Sequence, residues 1–274
     1  MDKPLTTTLH LGKPHEREDC HDSWSRVPYH FRALSTALPQ PWEDIFGPLR
    51  AGKVDDLVIV GQIGQSLDGR VATTTGRSHY INGPAGLVHL HRLRALVDAV
   101  LVGAETACAD DPQLTVRHVQ GPNPVRVVLD PRGRLPPHAR LLGRDSRRIV
   151  VTAKGVNCRL PGVEILPLPA AHGHIAPVAI LAALAERGLR RVMVEGGPET
   201  VSRFLQAGCL DRVHIVVAPL ILGAGRPSLA FGAIDRVDEA LRPAVRTHHL
   251  GDEMLFDCDL SAQRIAIWRA QKST

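Results

Sequence analysis

Aromatic side chains are scarce in this chain: five Phe, two Tyr and three Trp among 274 residues. Proteins that bind single-stranded nucleic acid stack bases on aromatics interleaved with basic groups, and no such module is present. The net charge of +5 comes from cations scattered along the chain rather than gathered into a run, which suits a solvated surface or a small polyanionic ligand. The cysteines, Cys20, Cys108, Cys158, Cys209 and Cys258, are odd in number and never in C-x-x-C spacing, which argues against a disulfide frame and a zinc knuckle. His15-Glu16 followed by Cys20-His21 does not complete H-E-x-x-H, so no metal site is expected. No apolar run approaches the roughly 20 residues that a membrane helix needs. The N-terminus is charged and broken by prolines, without the apolar core of a secretory signal. The expectation is a soluble, cytoplasmic protein that engages neither nucleic acid nor membrane.

What is present divides in two. Residues 1–52 hold Trp24, Phe31, Trp42, Ile45 and Phe46 among prolines, histidines and charge, too polar for a core of their own and too aromatic for a linker. They read as an extension that docks on the domain or on a second subunit. Residues 53–274 read as one domain of alternating strands and helices. Leu57-Val58-Ile59-Val60 is a buried strand ended by the turn Ser66-Leu67-Asp68-Gly69. Asn82 is placed to cap a helix over 83–97, with Pro84 near its first position and an apolar face of Leu87, Leu90, Leu93, Leu96 and Val97. A strand follows at 99–102, and Gly103-Ala104-Glu105-Thr106 reads as the opening of a loop that carries Asp110 and Asp111. Strands at 125–129, 149–151, 163–166 and 191–195, with a helix over 175–187 before the last, predict an α/β fold with a mostly parallel central sheet and helices on both faces. The apolar segments around Val245, Met254-Leu255-Phe256 and Ile265-Ala266-Ile267-Trp268 lack helical period and read as closing antiparallel strands.

The turn Gly196-Gly197-Pro198-Glu199-Thr200 feeds a helix with Val201, Phe204 and Leu205 on one face. Glycines allow close backbone approach, and the free amides of a helix start favour an anion, so this is a candidate pyrophosphate seat. It does not fit G-x-G-x-x-G, and a Rossmann fingerprint is not expected. Gly223-Ala224-Gly225 reads as a structural glycine loop.

Several of these runs stand in a particular order: Ser66-Leu67-Asp68-Gly69-Arg70, Ser78-His79-Tyr80-Ile81, Ala109-Asp110-Asp111-Pro112-Gln113-Leu114-Thr115-Val116-Arg117, Val127-Val128-Leu129-Asp130-Pro131, Val194-Glu195-Gly196-Gly197-Pro198 and Ala218-Pro219-Leu220-Ile221-Leu222-Gly223. Taken together, over about residues 55–260, they resemble the reductase domain of the bifunctional riboflavin-biosynthesis deaminase-reductases. The resemblance implies a dihydrofolate-reductase-like fold and NADPH-dependent reduction of 5-amino-6-(5-phosphoribosylamino)uracil to its ribitylamino form. It implies cofactor contacts at Gly64, Tyr80, Thr106, Asp110 and the turn Gly197, Pro198, Glu199, Thr200, Val201, Ser202 and Arg203. It implies substrate contacts at Ser78, Arg94, Leu114, Arg117 and Glu195. Asp110 is also the candidate for orienting the reacting atoms or relaying a proton.

The chemistry of these side chains agrees: Arg94 and Arg117 carry forks suited to a phosphate, and Ser78 and Glu195 suit pyrimidine amide and amine groups. Two departures stand out. Gln62 occupies a position where the family usually has lysine, which bears on the substrate, and Tyr80 one where tryptophan is common. The H-x-E and P-C-x-x-C pair of a zinc deaminase is missing from the chain, and no deaminase activity is expected. A homodimer is expected. Two other readings stay open: a dihydrofolate-reductase-like enzyme acting on a pterin or other heterocycle, and a nucleotide-binding protein without turnover.

Overall fold

The strand that the rest of the sheet forms around is β1, Val58–Ser66. Its side chains alternate between two cores: Val58 and Val60 join one apolar cluster, and Ile59 and Ile63 join the other. The same alternation runs through β3 (Ala99–Gly103), β4 (Val125–Leu129), β5 (Arg148–Ala153) and β9 (Arg191–Glu195). Strands apolar on both faces are what a parallel sheet covered on both sides demands. The structure, a computed structural model, describes residues 24–78 and 81–267.

A nine-stranded sheet results, in the order β12-β13-β10-β1-β9-β3-β4-β5-β6, where β6 is Glu164–Leu168, β10 Arg212–Ala218, β12 Ala244–Leu250 and β13 Glu253–Asp259. From β10 to β6 every pairing is parallel. The β12–β13 hairpin closes the sheet in antiparallel fashion. Arg212 ties β10 to β13 through a buried fork, with Nε and Nη2 each donating to Asp257 at 2.7 Å. One face carries α3 (Pro84–Leu96) and α4 (Ala104–Asp110), the other α5 (Pro177–Ala185) and α6 (Pro198–Gln206). Two short pairs lie outside the sheet: β2 (Arg70–Thr73) with β11 (Gly225–Pro227), and β7 (Ala170–Ala171) with β8 (His174–Ile175).

Before β1, α1 (Val27–Arg32) and α2 (Trp42–Phe46) bury Trp24, Val27, Phe31, Trp42, Ile45 and Phe46 in the same cluster as α3. Trp24 and Trp42 meet edge to face at 5.4 Å, a geometry that adds to their area burial. The arm therefore packs on its own domain. His15, Glu16, Cys20 and His21 lie outside the described residues.

Three local expectations are corrected. Residues 103–106 do not open a loop: after extended Gly103, the segment from Ala104 winds into α4, with Glu105 in the first turn where the helix dipole favours a carboxylate. Asn82 is not the cap of α3. Gly83 is, and the carboxylate of Glu253 does the capping from the far hairpin, accepting from Gly83 N at 3.0 Å, Gly86 N at 2.6 Å and Asn82 Nδ2 at 2.8 Å. The segment from Ile265 to Ile267 is not a strand. Ile265 N donates to Gly208 O and Ile267 N to Asp55, each at 2.9 Å, so these amides are spent locally and no ladder forms. Trp268 lies outside the described residues. The buried side of α3 is also more polar than its apolar spacing suggests, since His89, His91 and Arg94 are all buried.

Candidate active site

Parallel α/β sheets bind ligands beyond the carboxyl ends of their strands. Here the ends of β1, β3, β4 and β9 open into two adjoining clefts, of about 430 and 510 Å³. Glu105, Thr106, Gly197, Pro198 and Arg226 line both, so they form the partition between them.

The smaller cleft gathers Gln62 and Gly64 from β1, Ser78, Thr106 and Asp110 from α4, Leu114 and Glu195. Glu195 closes β9 and lies in register with Gln62 on β1. Both oxygens of Glu195 are held by Arg94 of α3, whose Nε donates to Oε2 at 2.8 Å and Nη2 to Oε1 at 2.5 Å. Arg94 Nη1 donates to Thr115 O at 3.0 Å. Arg94 is 4 % exposed and is absent from the cleft lining. Its fork is thus directed at Glu195 and the loop, and Glu195 alone of the pair faces the ligand space. Gln62, 8 % exposed, brings a neutral amide to the cleft beside Glu195.

The loop after α4 is built on strain. Asp111 (φ 39°) and Leu114 (φ 54°) both adopt left-handed backbone, a region a bulky side chain enters only under constraint. The constraints are visible: Leu114 is buried in the core, and Asp111 Oδ1 accepts from Arg140 N at 2.7 Å. His91 Nδ1 accepts from Arg117 N at 2.9 Å. Burial, then the neighbouring Arg94, His118 and Arg117, push the His91 imidazole down to about 3, so it stays a neutral acceptor. Arg117 itself is exposed and outside the cleft lining, with Nη1 donating to Gln113 Oε1 at 2.9 Å and Thr115 Oγ1 at 2.6 Å. It makes no ion pair with Asp110 or Asp111. Partial burial first, and then Arg94 and Arg140, lower its proton affinity. Asp110 ends α4, exposed on the cleft wall.

The larger cleft runs along the start of α6. Thr106 Oγ1 accepts from Gly197 N at 2.9 Å, fixing the turn, and Gly196 stands at φ 118°. Gly103 faces α6 so closely that a Cβ there would come within 2.6 Å of Thr200 Oγ1. Gly197, Pro198, Glu199, Thr200 and Arg203 line this cleft, together with Arg132, Arg134 and Arg226. Val201 and Ser202 turn away: Val201 is in the core, and Ser202 Oγ accepts from Ala230 N at 2.9 Å. Tyr80 lies outside the described residues. A nine-residue helix without a side-chain cap, glycines that let its start be approached, and several arginines fit the phosphates of a dinucleotide. Those residues would hold the diphosphate of a dinucleotide at the start of α6. Among the described residues no cluster of three metal-ligating side chains occurs.

Asp68 serves structure. Its carboxylate drops to about 2 because Ser66 Oγ and the amides of Leu222 and Gly223 donate to it, which ties the turn after β1 to the segment before β11. Arg226, Glu105 and Asn82 line the clefts although sequence reasoning did not assign them to the site. Nothing local marks them, since each acquires its place from pairing or packing across the fold.

The family model described as the RibD C-terminal domain matches residues 58–249. The 2,5-diamino-6-ribosylamino-4(3H)-pyrimidinone 5′-phosphate reductase of Methanothermobacter thermautotrophicus is 34 % identical over 205 residues, covering 70 % of this chain and 93 % of the relative. The riboflavin biosynthesis protein RibD of Aquifex aeolicus is 35 % identical over 199 residues, but the match takes in only 54 % of its length. A crystal structure of the deaminase/5-amino-6-(5-phosphoribosylamino)uracil reductase from Thermotoga maritima superposes with a TM-score of 0.66 at 31 % identity, over 74 % of this chain and 56 % of that one. The chain thus spans about half the length of the RibD relatives and nearly all of the archaeal one.

Proposed function

This chain belongs to the RibD C-terminal domain family, the reductase family of riboflavin biosynthesis, and we propose that it reduces 5-amino-6-(5-phosphoribosylamino)uracil to the ribitylamino product with NADPH. The observation that carries this reading is the pairing of two clefts across the Thr106–Gly197 hydrogen bond, one lined by arginines, the other by Glu195, Ser78 and Asp110.

Bound nicotinamide supplies the hydride; the chain positions and protonates. Glu195, held by Arg94, offers its remaining lone pairs to N–H groups of the pyrimidine, and the Gln62 amide beside it offers one donor and one acceptor. Asp110, solvated on the wall, relays a proton to the opened sugar as C1 is reduced. Arg117 stands at the rim with donors to spare and takes the substrate phosphate, moving from Gln113 and Thr115. The α6 start and the arginines of the larger cleft hold the cofactor phosphates, and their charge favours NADPH.

The protein acts as a cytoplasmic homodimer. A groove of about 590 Å³ along β10 and β13, lined by Ile215, Val217, Met254 and Phe256, leaves an apolar face that a second copy would cover. Residues 24–52 serve as an arm of the reductase domain. Assaying NADPH oxidation with the uracil substrate, its 2,5-diamino precursor and dihydrofolate in parallel tests the proposal: turnover of dihydrofolate alone would replace it with the pterin reading.

A further inference from the structure

We propose that the arm before β1 is a positioning element of the reductase site: Trp24 holds the far end of the loop that carries Arg117 and so sets where that guanidinium stands. The inference rests on the reading above in which Arg117 takes the substrate phosphate. It gives a purpose to residues 24–52, which precede the span matched by the family model.

The loop from Asp111 to Pro124 runs between α4 and β4 without helix or strand, so its course depends on the partners its backbone finds elsewhere. Helix α3 holds it from one side. Arg94 Nη1 donates to Thr115 O, His91 Nδ1 accepts from Arg117 N, and His118 meets the His91 ring edge to face at 4.5 Å. Beyond these grips Gln120, Gly121 and Pro122 are exposed, and the arm supplies the contacts. Trp24 Nε1 donates to Gln120 O at 2.8 Å, across 96 positions of sequence. Gly121 fits between α3 and α1 with no room for a side chain: a Cβ there would come 2.5 Å from Ala95 Cβ and 3.8 Å from Pro28 Cγ. Val116 and Val119 pack against the cluster to which Trp24, Val27 and Phe31 belong.

The arm can hold the loop because it is itself firmly seated. Trp24 is 2 % exposed and stands edge to face against Phe46 at 5.7 Å as well as against Trp42. Arg92 of α3 lays its guanidinium 4.1 Å from the Trp42 ring centroid and 5.3 Å from that of Trp24, a cation–π contact that gains strength where water is excluded. Phe46 stacks on His89 of the same helix at 5.6 Å. The tryptophan therefore rests on the helix whose His91 and Arg94 hold the other part of the loop, and Arg117 lies between these supports. A buried indole N–H must find an acceptor, and the acceptor it finds is the backbone just behind Arg117. A small misplacement of a binding group is costly in catalysis, so the arm reaches the chemistry without touching the ligand.

Trp24→Phe tests this, because it keeps a ring in the cluster and removes the N–H. With the phosphorylated pyrimidine and saturating NADPH, kcat/KM should fall about three- to tenfold, the worth of one neutral hydrogen bond, and chiefly through KM. NADPH affinity should stay within about twofold of the parent. In an Arg117→Ala background the same substitution should cost less than about twofold, since the group it positions is gone. Amide exchange followed by mass spectrometry reads the loop without turnover: residues 112–120 should exchange faster in Trp24→Phe, while β1 and β9 keep the parent rates. Equal losses in both backgrounds, no loss at all, or unchanged exchange of the loop overturns the inference. A parent that oxidises no NADPH with this pyrimidine removes the reductase reading instead, and the exchange result alone then decides whether the arm holds the loop.

Discussion

Arg94 holds Glu195 through both edges of its guanidinium, at 2.8 and 2.5 Å, although 101 positions separate the two in sequence. The pair fixes the one carboxylate of the smaller cleft that faces a ligand from a strand end. It also ties that carboxylate to the strained loop through Thr115.

Removing the cation should therefore be expensive. Arg94→Ala leaves Glu195 partly buried and uncompensated, and stability should fall by about 3–5 kcal/mol, the usual cost of breaking a buried pair. Arg94→Lys keeps the charge but loses the fork, so it should recover only part of the stability and of the turnover. Thermal unfolding and kinetics on both variants check this. If Arg94→Ala melted like the parent, the pair would be a surface contact of little consequence.

Arg117 is a different kind of arginine, exposed and held by neutral acceptors alone. Arg117→Ala should leave cofactor affinity and melting temperature nearly unchanged. Its catalytic efficiency should drop by about 30- to 1000-fold, equivalent to 2–4 kcal/mol of transition-state binding. A large loss of cofactor affinity together with destabilisation would instead make it a loop brace.

The buried His91 gives the fold an acid-sensitive element. Its folded value, about 3, lies below the ordinary 6.5 because of burial and the adjacent arginines. A base depressed on folding binds more protons when unfolded, so its contribution is full above 6.5 and is lost as pH falls toward 3. His89 is shifted the same way, by burial and then by His214. Urea unfolding between pH 7 and 4 should show stability falling with acid, and His91→Asn should flatten the slope. Asp257, at about 2 with its burial outweighed by His214 and Arg212, contributes its loss only below about pH 4. An unchanged slope in His91→Asn would show that His91 is protonated at little cost.

Much of the architecture was legible before the structure, and the physical reason is locality. The alternation of Val58, Ile59 and Val60 between two cores, the periodicity of α3 and the Gly196-Gly197-Pro198 corner all depend on neighbours in sequence. What was misread depends on partners far away. Ile265-Ala266-Ile267 has strand composition, but Asp55 and Gly208 take its amides. Asn82 has the chemistry of a cap, yet Glu253 arrives from the hairpin and does the capping. At the site, Ser78, Asp110, Leu114 and Glu195 line one cleft, while Arg94 reaches the ligand space only through Glu195. The turning of Val201 and Ser202 into the protein follows from helix phase, which a linear motif does not convey.

The dimer expectation has its own test. Phe256 is partly exposed in the apolar groove of β13, and a charge there should be incompatible with a buried self-complementary face. Light scattering should return twice the monomer mass for the parent and the monomer mass for Phe256→Glu. A parent that stays monomeric at micromolar concentration would leave the groove to another occupant.

The central claim is that the two clefts work as one reductase site. The most direct measurement is single-turnover oxidation of bound NADPH on mixing with 5-amino-6-(5-phosphoribosylamino)uracil, followed by absorbance, with the ribitylamino product identified by mass. The account predicts one product per NADPH oxidised, and that Glu195→Gln slows the step by about 10²-fold or more while NADPH stays bound. NADPH that binds and remains unoxidised with this pyrimidine and with its 2,5-diamino form would contradict it.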